Sequence, residues 1–295
     1  MTRSFEYRQK QNPTRRGFWL RIHENKDSGF TTIWAANEMT KEAISIRYPS
    51  LEQCDARRGW QPAKTGSGYS LRIPDFLMDW GAYEKLKEWA DIAGNQCIWL
   101  STNGNTENLF QGNELDFCVA YDWNYDFSSN SRTRLGEAEY QMKYRPSAGN
   151  ELIYGNKLKD AIETCCACLP YDCRANNFVV TAIPATVLAQ NKLAWRLAER
   201  VAQTLQVPMI PLTLDNKPDM KNLTTAEQRV REWRSILSNW DCSPVSGYFE
   251  GANVLIIDDL YQSGASVWCL AEYLKSRLNA NVVQAAVVVK SVSDG

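Results

Sequence analysis

The sequence predicts an α/β chain in two parts: a parallel sheet flanked by helices over residues 113–295, and a small β-rich α+β domain with its linker over residues 1–112. In residues 113–295, apolar runs of strand length alternate with stretches of helical periodicity, which is the order of βαβ units. In residues 1–112, the first part of the chain, short aromatic-rich runs alternate with turn residues, which is typical of short strands. A polar stretch rich in Asn and Gly, Ser101–Asn113, predicts the linker.

Alternation with a period of two defines the strands of the first part. It predicts strands over residues 17–22, 30–34, 43–48 and 69–73. Met78–Ile92 has the helical period instead, because its apolar residues recur on one face: Trp80, Tyr83, Leu86 and Trp89. Cys97–Leu100 predicts one further strand.

Buried strands and amphipathic helices alternate in the second part. The predicted strands cover residues 117–121, 178–183, 209–214, 254–257 and 282–289. The predicted helices cover residues 135–144, 152–165 and 188–205, and a further helix begins near Val267. The charged stretch 217–234 is either a solvated face or a lid over a bound nucleotide, and its place before the strand at 254–257 favours the lid.

Composition excludes several classes of protein. The 295 residues are 44% hydrophobic and carry a net charge of −1, so a dominating electrostatic grip on nucleic acid is not expected. No apolar run approaches a membrane span and the N-terminus has no signal-peptide core, which predicts a cytoplasmic protein without a membrane partner. The nine cysteines are then expected as reduced thiols. His23 is the single histidine, which argues against Ser-His-Asp and Cys-His mechanisms.

The segment Val254–Ser266 carries the strongest chemical pattern. A buried strand ends on two adjacent carboxylates, Asp258 and Asp259, and a small polar loop with Gly264 leads into a helix. Backbone N–H groups at a helix N-terminus favour a phosphate, and acids at the carboxyl end of a parallel strand can hold sugar hydroxyls or a divalent cation. The alternative is an ordinary parallel strand with a polar exit loop.

This segment resembles the phosphoribosyl-diphosphate (PRPP) signature of type I phosphoribosyltransferases, in which two acids precede a Thr-Thr-Gly-x-Thr loop. The order of the pieces over roughly residues 115–295 resembles the ComF family, competence-associated phosphoribosyltransferase-like proteins. Three further segments carry this resemblance: Lys143-Tyr144-Arg145, Ile183-Pro184 and residues 222–229. The chain departs from the family at Gln262, Pro146 and Gln190-Asn191-Lys192, and it lacks the family's Cys-x-x-Cys zinc module.

The resemblance implies a site for PRPP or a related ribose-phosphate or nucleotide. It places the 5′-phosphate on the loop amides, the pyrophosphate on the turn after the strand at 178–183 with help from cationic side chains, and the ribose hydroxyls and Mg²⁺ on the two acids, directly or through water. The residues implied are Gln262, Ser263, Gly264, Ala265 and Ser266; Pro184, Ala185 and Thr186; Lys143 and Arg145; and Asp258 and Asp259, which are also the catalytic candidates.

The activity that follows is a Mg²⁺-assisted pentosyl transfer. In such a reaction the C1–O bond breaks early, so the protein positions groups and stabilises charge. Two alternatives stay open: a non-catalytic module that senses a nucleotide, and a DNA-associated subunit in DNA uptake or antiviral (phage) defence. Fold alone does not choose between them.

A cysteine cluster raises the question of zinc. Cys165 and Cys168 have zinc-like spacing, and Cys173 could supply a third ligand. No second spaced pair follows, and soft apolar thiols packed in a turn explain the cluster equally well. Zinc is therefore not expected.

Tryptophan is concentrated early in the chain, with seven of the eleven before position 124. Exposed tryptophans could stack nucleobases beside Arg15, Arg16, Arg57 and Arg58, which makes the first domain a candidate surface for nucleic acid or a protein partner. Because tryptophan is mostly buried on average, a role in the core of a small sheet domain is favoured.

Overall fold

A computed structural model describes residues 2–9, 17–55, 59–63, 66–100, 109–129, 131–175, 177–186, 192–215 and 220–292. The chain forms two compact units: Met1–Ser101 with Cys168–Tyr171, and Thr102–Ala167 with Asp172–Gly295. The first unit therefore ends inside the predicted linker and takes back four residues from later in the chain. Within the described ranges, no helix combines the length and apolar character needed to cross a bilayer.

The first unit is built on an antiparallel five-stranded sheet with the order β1-β2-β3-β5-β4. Its strands are β1 (Thr2–Arg8), β2 (Trp19–Asn25), β3 (Phe30–Ala35), β4 (Gln61–Pro62) and β5 (Tyr69–Pro74), and β6 (Ile98–Leu100) follows later. Its helices are α1 (Glu38–Arg47), α2 (Pro49–Gln53) and α3 (Trp80–Asn95). One sheet face and the apolar side of α3 form the core, where Leu20, Ile33 and Leu86 are fully buried.

The strand predicted over residues 43–48 is wrong, because these residues belong to helix α1. The side chain of Asn37 caps this helix by accepting a hydrogen bond of 2.8 Å from the Thr40 N–H. Thr40, Ala43 and Ile44 are then buried at helical spacing, whereas Ile46, which alternates with Ile44 in the sequence, is only partly buried. Strand β1 was not predicted, because its pattern is largely exposed.

The second unit has parallel pairing throughout its central strands, in the order β7-β12-β11-β8. The strands are β7 (Phe117–Trp123), β8 (Phe178–Ala182), β9 (Ala185–Thr186), β10 (Thr213–Leu214), β11 (Asn253–Tyr261) and β12 (Val282–Lys290). The helices are α4 (Arg134–Tyr144), α5 (Ala148–Cys168), α6 (Leu193–Leu205), α7 (Ala226–Ser238) and α8 (Ala265–Leu278). The predicted mixed α/β architecture is confirmed: one sheet flanked by helices, and a separate antiparallel sheet.

The connections from β8 and β11 leave the sheet in opposite directions. From β8 the chain passes through α6 to Met209, which forms a bridge with Val180 on the side of β8 away from β11. From β11 the chain passes through α8 to β12, which pairs with β11 on the side away from β8. Helix α6 contacts α5 through Arg196 and Glu151, and α7 packs on α8. Ligands of open α/β sheets bind at such a reversal, so the carboxyl ends of β8 and β11 mark the expected crevice.

Three of the predicted boundaries that differ from the structure bear on the candidate site. Strand β11 extends to Tyr261 instead of ending at Ile257, so the two acids lie within it. The strand predicted over residues 209–214 is reduced to the bridge at Met209 and to β10. Helix α6 begins at Leu193, and residues 187–191 before it lie outside the described residues.

Candidate functional site

The two adjacent acids lie near the carboxyl end of β11, a strand paired on both sides by β12 and β8. Consecutive strand residues project to opposite faces of a sheet, so Asp258 and Asp259 leave β11 in different directions. Each residue is only 8% exposed. They therefore act as two separate carboxylates on either side of the sheet edge, rather than as one joint chelate.

Lys143 reaches Asp259 from helix α4 and bridges it to a second buried acid. The Lys143 Nζ lies 2.9 Å from Asp259 Oδ1 and 3.2 Å from Glu139 Oε1. Glu139 and Lys143 are four residues apart on α4, which places them on the same helix face. This three-residue cluster joins α4 to the central strand beside the expected crevice.

The start of α4 is fixed to the end of β7, and this positions the cluster. Thr133 caps the helix by accepting a hydrogen bond of 3.0 Å from the Gly136 N–H. The Thr133 hydroxyl also donates to the Trp123 carbonyl at 2.6 Å. A Cβ at Gly136 would lie 2.0 Å from the Asn124 carbonyl oxygen, so only glycine permits this close approach.

The charges within the cluster control one another. Burial raises the pKa of Glu139 to about 7, with the Asp259 carboxylate adding to the rise and the Lys143 ammonium opposing it. Burial also disfavours the charged form of Lys143, but the Asp259 and Glu139 carboxylates outweigh it and raise the pKa of this lysine. The ammonium therefore stays charged, and Glu139 is the member that titrates near neutral pH.

Sequence reasoning missed Glu139. Its signal is the i, i+4 pairing with Lys143 on a predicted helix, a pattern that is common on solvated helix faces. Only the packing of α4 against the sheet shows that this acid is 3% exposed.

The loop after β11 turns over the side chain of Tyr261. Gly264 has φ +78°, and a Cβ at this position would lie 2.2 Å from the Tyr261 hydroxyl oxygen. That hydroxyl accepts a hydrogen bond of 3.1 Å from Trp268 Nε1 on α8. Gly264 is thus required by both its backbone conformation and the close tyrosine.

Gly264 is also the N-cap residue of α8 and supplies no side-chain cap to the helix. Ala265 is buried behind the loop, whereas Gln262 is exposed and Ser263 and Ser266 are partly exposed. The first N–H groups of a 14-residue helix, with two hydroxyls beside them, form an arrangement that suits an anion.

Lys290 holds this loop against the end of β12. Its Nζ donates hydrogen bonds to the carbonyls of Gln262 at 3.2 Å and Ser291 at 2.7 Å. The same ammonium lies 5.7 Å from the ring centroids of Trp123 and Tyr261. Lys290 is 7% exposed and was also missed from the sequence, because it ends an apolar strand.

The turn after β8 presents fewer backbone amides than the sequence suggested. The Ala185 N–H donates to the Leu212 carbonyl at 3.2 Å, because Ala185 and Thr186 form β9 and pair with β10. Pro184 has no N–H to offer a ligand. The Ile183 carbonyl accepts from Trp195 Nε1 at 3.2 Å. This turn stands at the crevice, but its pairing limits how it could contact a pyrophosphate.

Arg145 lies at the C-cap of α4, next to the cluster in sequence but exposed. Its guanidinium carbon lies 5.9 Å from the ring centroid of Tyr140. Lys192 is the N-cap residue of α6 and is exposed, whereas Gln190 and Asn191 lie outside the described residues.

The donor set does not fit a Mg²⁺ ion held by protein side chains alone. Asp258 and Asp259 project to opposite faces, and Lys143 already balances the Asp259 carboxylate. In the described part of the chain, no group of three or more His, Cys, Asp or Glu side chains could surround a metal ion.

The cysteines that raised the question of zinc have three different environments. Cys165 Sγ faces the Val287 carbonyl at 3.7 Å, and Cys173 Sγ accepts from Gln284 Nε2 at 3.7 Å. Cys168 Sγ lies 3.1 Å from Cys97 Sγ within the first unit. Buried soft thiols packed separately account for these contacts.

A cavity of about 500 Å³ lies elsewhere in the second unit, lined by residues of α7, α8 and the segment before β7. Two of the cations that line it are already engaged. Arg234 donates to Glu272 at 2.7 Å and to the Leu109 carbonyl, and Lys275 pairs with Asp116 at 2.8 Å. We therefore favour the edge of the sheet as the functional site.

A comparison with protein-family models finds no match for this chain, and a comparison with curated proteins finds none either. The resemblance to phosphoribosyltransferases therefore stays a prediction based on the signature segment.

Proposed function

We propose that the second unit binds PRPP or a related ribose-phosphate at the crevice between the carboxyl ends of β8 and β11. One observation carries the proposal: β11 passes two acids and runs through a Gly264 turn directly into the uncapped N-terminus of α8. This joins groups for sugar hydroxyls and for a phosphate within a few residues.

The 5′-phosphate would occupy the start of α8. The N–H groups of the first helical turn donate to its oxygens, and the Ser263 and Ser266 hydroxyls add two further donors. A phosphate at this position also benefits from the positive end of the helix dipole. Lys290 contributes indirectly, because its hydrogen bond to the Gln262 carbonyl sets the path of the loop.

The ribose would lie over Asp259, whose Oδ1 is bound by Lys143. A ribose hydroxyl donates to a carboxylate oxygen, while the Lys143 ammonium stays beside it as a fixed positive charge. Lys143 is then placed to attract the pyrophosphate group and to balance its charge as it leaves. Mg²⁺ enters this proposal only as an ion carried by the pyrophosphate oxygens of the ligand.

Two outcomes follow binding. In pentosyl transfer, the C1–O bond to pyrophosphate breaks, pyrophosphate departs with the electron pair, and a nucleophile of the acceptor bonds to C1. In a sensor, the ligand binds without reaction. The engaged Ala185 amide favours the sensor as second candidate, because it removes a backbone donor from the expected pyrophosphate position.

Calorimetric titration with PRPP and with ribose 5-phosphate, with and without Mg²⁺, tests the proposal. Ser266→Ala should weaken both ligands about tenfold, because it removes one hydrogen bond to a charged phosphate. Asp241→Asn, on an exposed loop of the same unit, is the matched control and should leave affinity unchanged.

A parallel assay for released pyrophosphate separates enzyme from sensor. PRPP binding with steady release in the presence of a nucleobase mixture supports transfer, and binding without release supports the sensor. If neither ligand binds the intact chain at millimolar concentration, the proposed function is wrong.

A further inference from the structure

The antiparallel sheet of the first unit has one face that its core does not use. In the register of β2, β3 and β5, fully buried residues pair with one another on the inner face: Leu20 with Ala35, Ile22 with Ile33, and Ile33 with Leu71. The alternate residues project to the other side. We call this side the outer face; it comprises Thr2, Ser4, Glu6, Arg8, Gln61, Trp19, Arg21, His23, Asn25, Phe30, Thr32, Trp34, Ser70, Arg72 and Pro74.

Tryptophan rings and guanidinium groups interleave at one end of the outer face. Trp19 and Trp34 meet edge to face, with ring centroids 5.7 Å apart. The Arg21 guanidinium lies over both rings, at 5.0 Å and 5.4 Å, and Arg8 lies 5.5 Å from Trp19. Both tryptophans are partly exposed, so this cluster presents flat π surfaces to solvent.

A second pair of a ring and a guanidinium group lies at the other end of β3, where Phe30 of β3 meets Arg72 of β5. Arg72 is exposed and lies 4.1 Å from the ring centroid of Phe30. Phe30 and Trp34 are four residues apart in β3, which separates the two clusters by about 13 Å along the strand. That distance accommodates several stacked or splayed bases of one strand.

The charge of the outer face also selects its partner. Three arginines face a single carboxylate, Glu6, among these described positions, although the whole chain carries a net charge of −1. Glu6 is itself engaged, because it accepts hydrogen bonds from Trp19 Nε1 at 2.9 Å and from Arg21 at 3.3 Å. The remaining positive charge suits phosphates.

We propose that the outer face binds single-stranded nucleic acid. Bases would stack on the exposed parts of Trp19, Trp34 and Phe30 or on the guanidinium planes, and the arginines would contact the backbone phosphates. A protein partner is the alternative that the variants below test: the outer face contains no Leu, Ile, Val or Met, so a protein interface here would rest on the same rings and arginines. The excess of arginine over carboxylate favours a polyanion instead.

This surface differs from the one expected from the sequence. Arg15, Arg16, Arg57 and Arg58 were the arginines named there, and all four lie outside the described residues. The arginines that contact exposed rings are instead Arg8, Arg21 and Arg72, which the strand register brings onto one face.

Fluorescence anisotropy with the full chain tests the proposal, using labelled DNA and RNA strands of roughly 15 nucleotides and mixed sequence. We expect binding at low salt that weakens with a log–log salt slope of about −2, since three arginines each displace roughly 0.7 counterion from a single strand. Duplex DNA of the same length should bind more weakly, and the DNA and RNA arms show whether the 2′-hydroxyl contributes.

Variants locate the binding site. Trp34→Ala should raise Kd about tenfold or more, because it removes a stacking surface. Arg72→Gln should raise Kd about threefold, because it removes one positive charge; Arg72 is exposed, so this change leaves the fold intact. Trp80→Ala is the matched control: Trp80 is 48% exposed in the same unit, lies outside the outer face, and should leave Kd unchanged.

Three results would overturn the proposal: absence of binding at low salt, equal loss of affinity in Trp80→Ala and Trp34→Ala, or affinity that Arg72→Gln and Trp34→Ala both leave intact. Concentration-dependent self-association that Trp34→Ala abolishes, without oligonucleotide binding, would assign the outer face to a protein contact instead. Circular dichroism of each variant excludes loss of fold as the cause.

Discussion

Replacing Glu139 by glutamine gives a direct test of the buried cluster in the second unit. Burial raises the pKa of Glu139 to about 7, against an ordinary value of 4.5. The folded state thus holds this proton more tightly than the unfolded state. The stability that the protonated form contributes is fully present below about pH 4.5 and is lost as the pH rises through about 7. Each pKa unit corresponds to about 1.4 kcal/mol, so the loss is about 3 kcal/mol.

Glutamine has nearly the shape of the protonated acid but does not titrate. The free energy of unfolding of the wild type minus that of Glu139→Gln should therefore fall by about 3 kcal/mol between about pH 4.5 and about pH 7.5. Taking this difference cancels the titration of every other group. Urea denaturation at several pH values measures it, with the transition of the second unit fitted separately because the chain has two compact units.

Glu137→Gln is the matched control, since Glu137 lies one half-turn away on α4 with a side chain 41% exposed. Replacing it should change the free energy of unfolding by less than about 1 kcal/mol, because its ion pair lies at the surface. If the curve for Glu139→Gln is flat, or rises with pH, then Lys143 stabilises the ionised acid more than burial destabilises it, and the reasoning about the cluster is wrong. Lys143→Met should lower the free energy of unfolding by about 3 kcal/mol at pH 8. The loss should be smaller at pH 5, where Glu139 is protonated in the folded state.

Three further substitutions test local geometry by urea denaturation. Gly136→Ala should cost about 3 kcal/mol, because its Cβ would lie 2.0 Å from the Asn124 carbonyl oxygen; a cost below about 1 kcal/mol would show that α4 can move away from β7. Gly264→Ala should lower the free energy of unfolding by about 2 kcal/mol, because alanine is strained at φ +78° and its Cβ would lie 2.2 Å from the hydroxyl oxygen and 2.4 Å from Cζ of Tyr261; a cost below about 0.5 kcal/mol would contradict this close approach. Thr225→Ala should cost about 1 kcal/mol, because Thr225 caps α7 within a capping box, and an unchanged midpoint would rule out that role.

Periodicity alone determined most elements of this protein. The apolar runs that became β7, β8, β11 and β12 have strand length and are bounded by turns or helical stretches, and these local signals survive in the folded chain. The segment 43–48 was predicted wrongly because Ile44 and Ile46 alternate as in a strand, while the cap at Asn37 starts a helix. A short window cannot decide between two periods when both place the same residue inside.

Sequence also indicated where chemistry is concentrated, because adjacent acids followed by a Gly-containing loop and a helix form a contiguous pattern. It did not show that Asp258 and Asp259 lie within β11, nor that the Ala185 amide is engaged in pairing. Both facts depend on strand ends, which are set by the hydrogen bonds of neighbouring strands rather than by the local residues.

Tertiary structure alone decided which distant residues act together. Glu139 and Lys143 belong to α4 and Asp259 belongs to β11, and Lys143 and Asp259 are 116 residues apart in the chain. Only packing converts an ordinary helix-face pair into a buried cluster in which the pKa of Glu139 is raised. Likewise, the tryptophans and arginines of the first unit were visible in the sequence, but the register of β2, β3 and β5 places Trp19, Arg21 and Trp34 on one face. Burial and register are properties of long-range pairing, so composition and spacing could suggest these groups but could not assemble them.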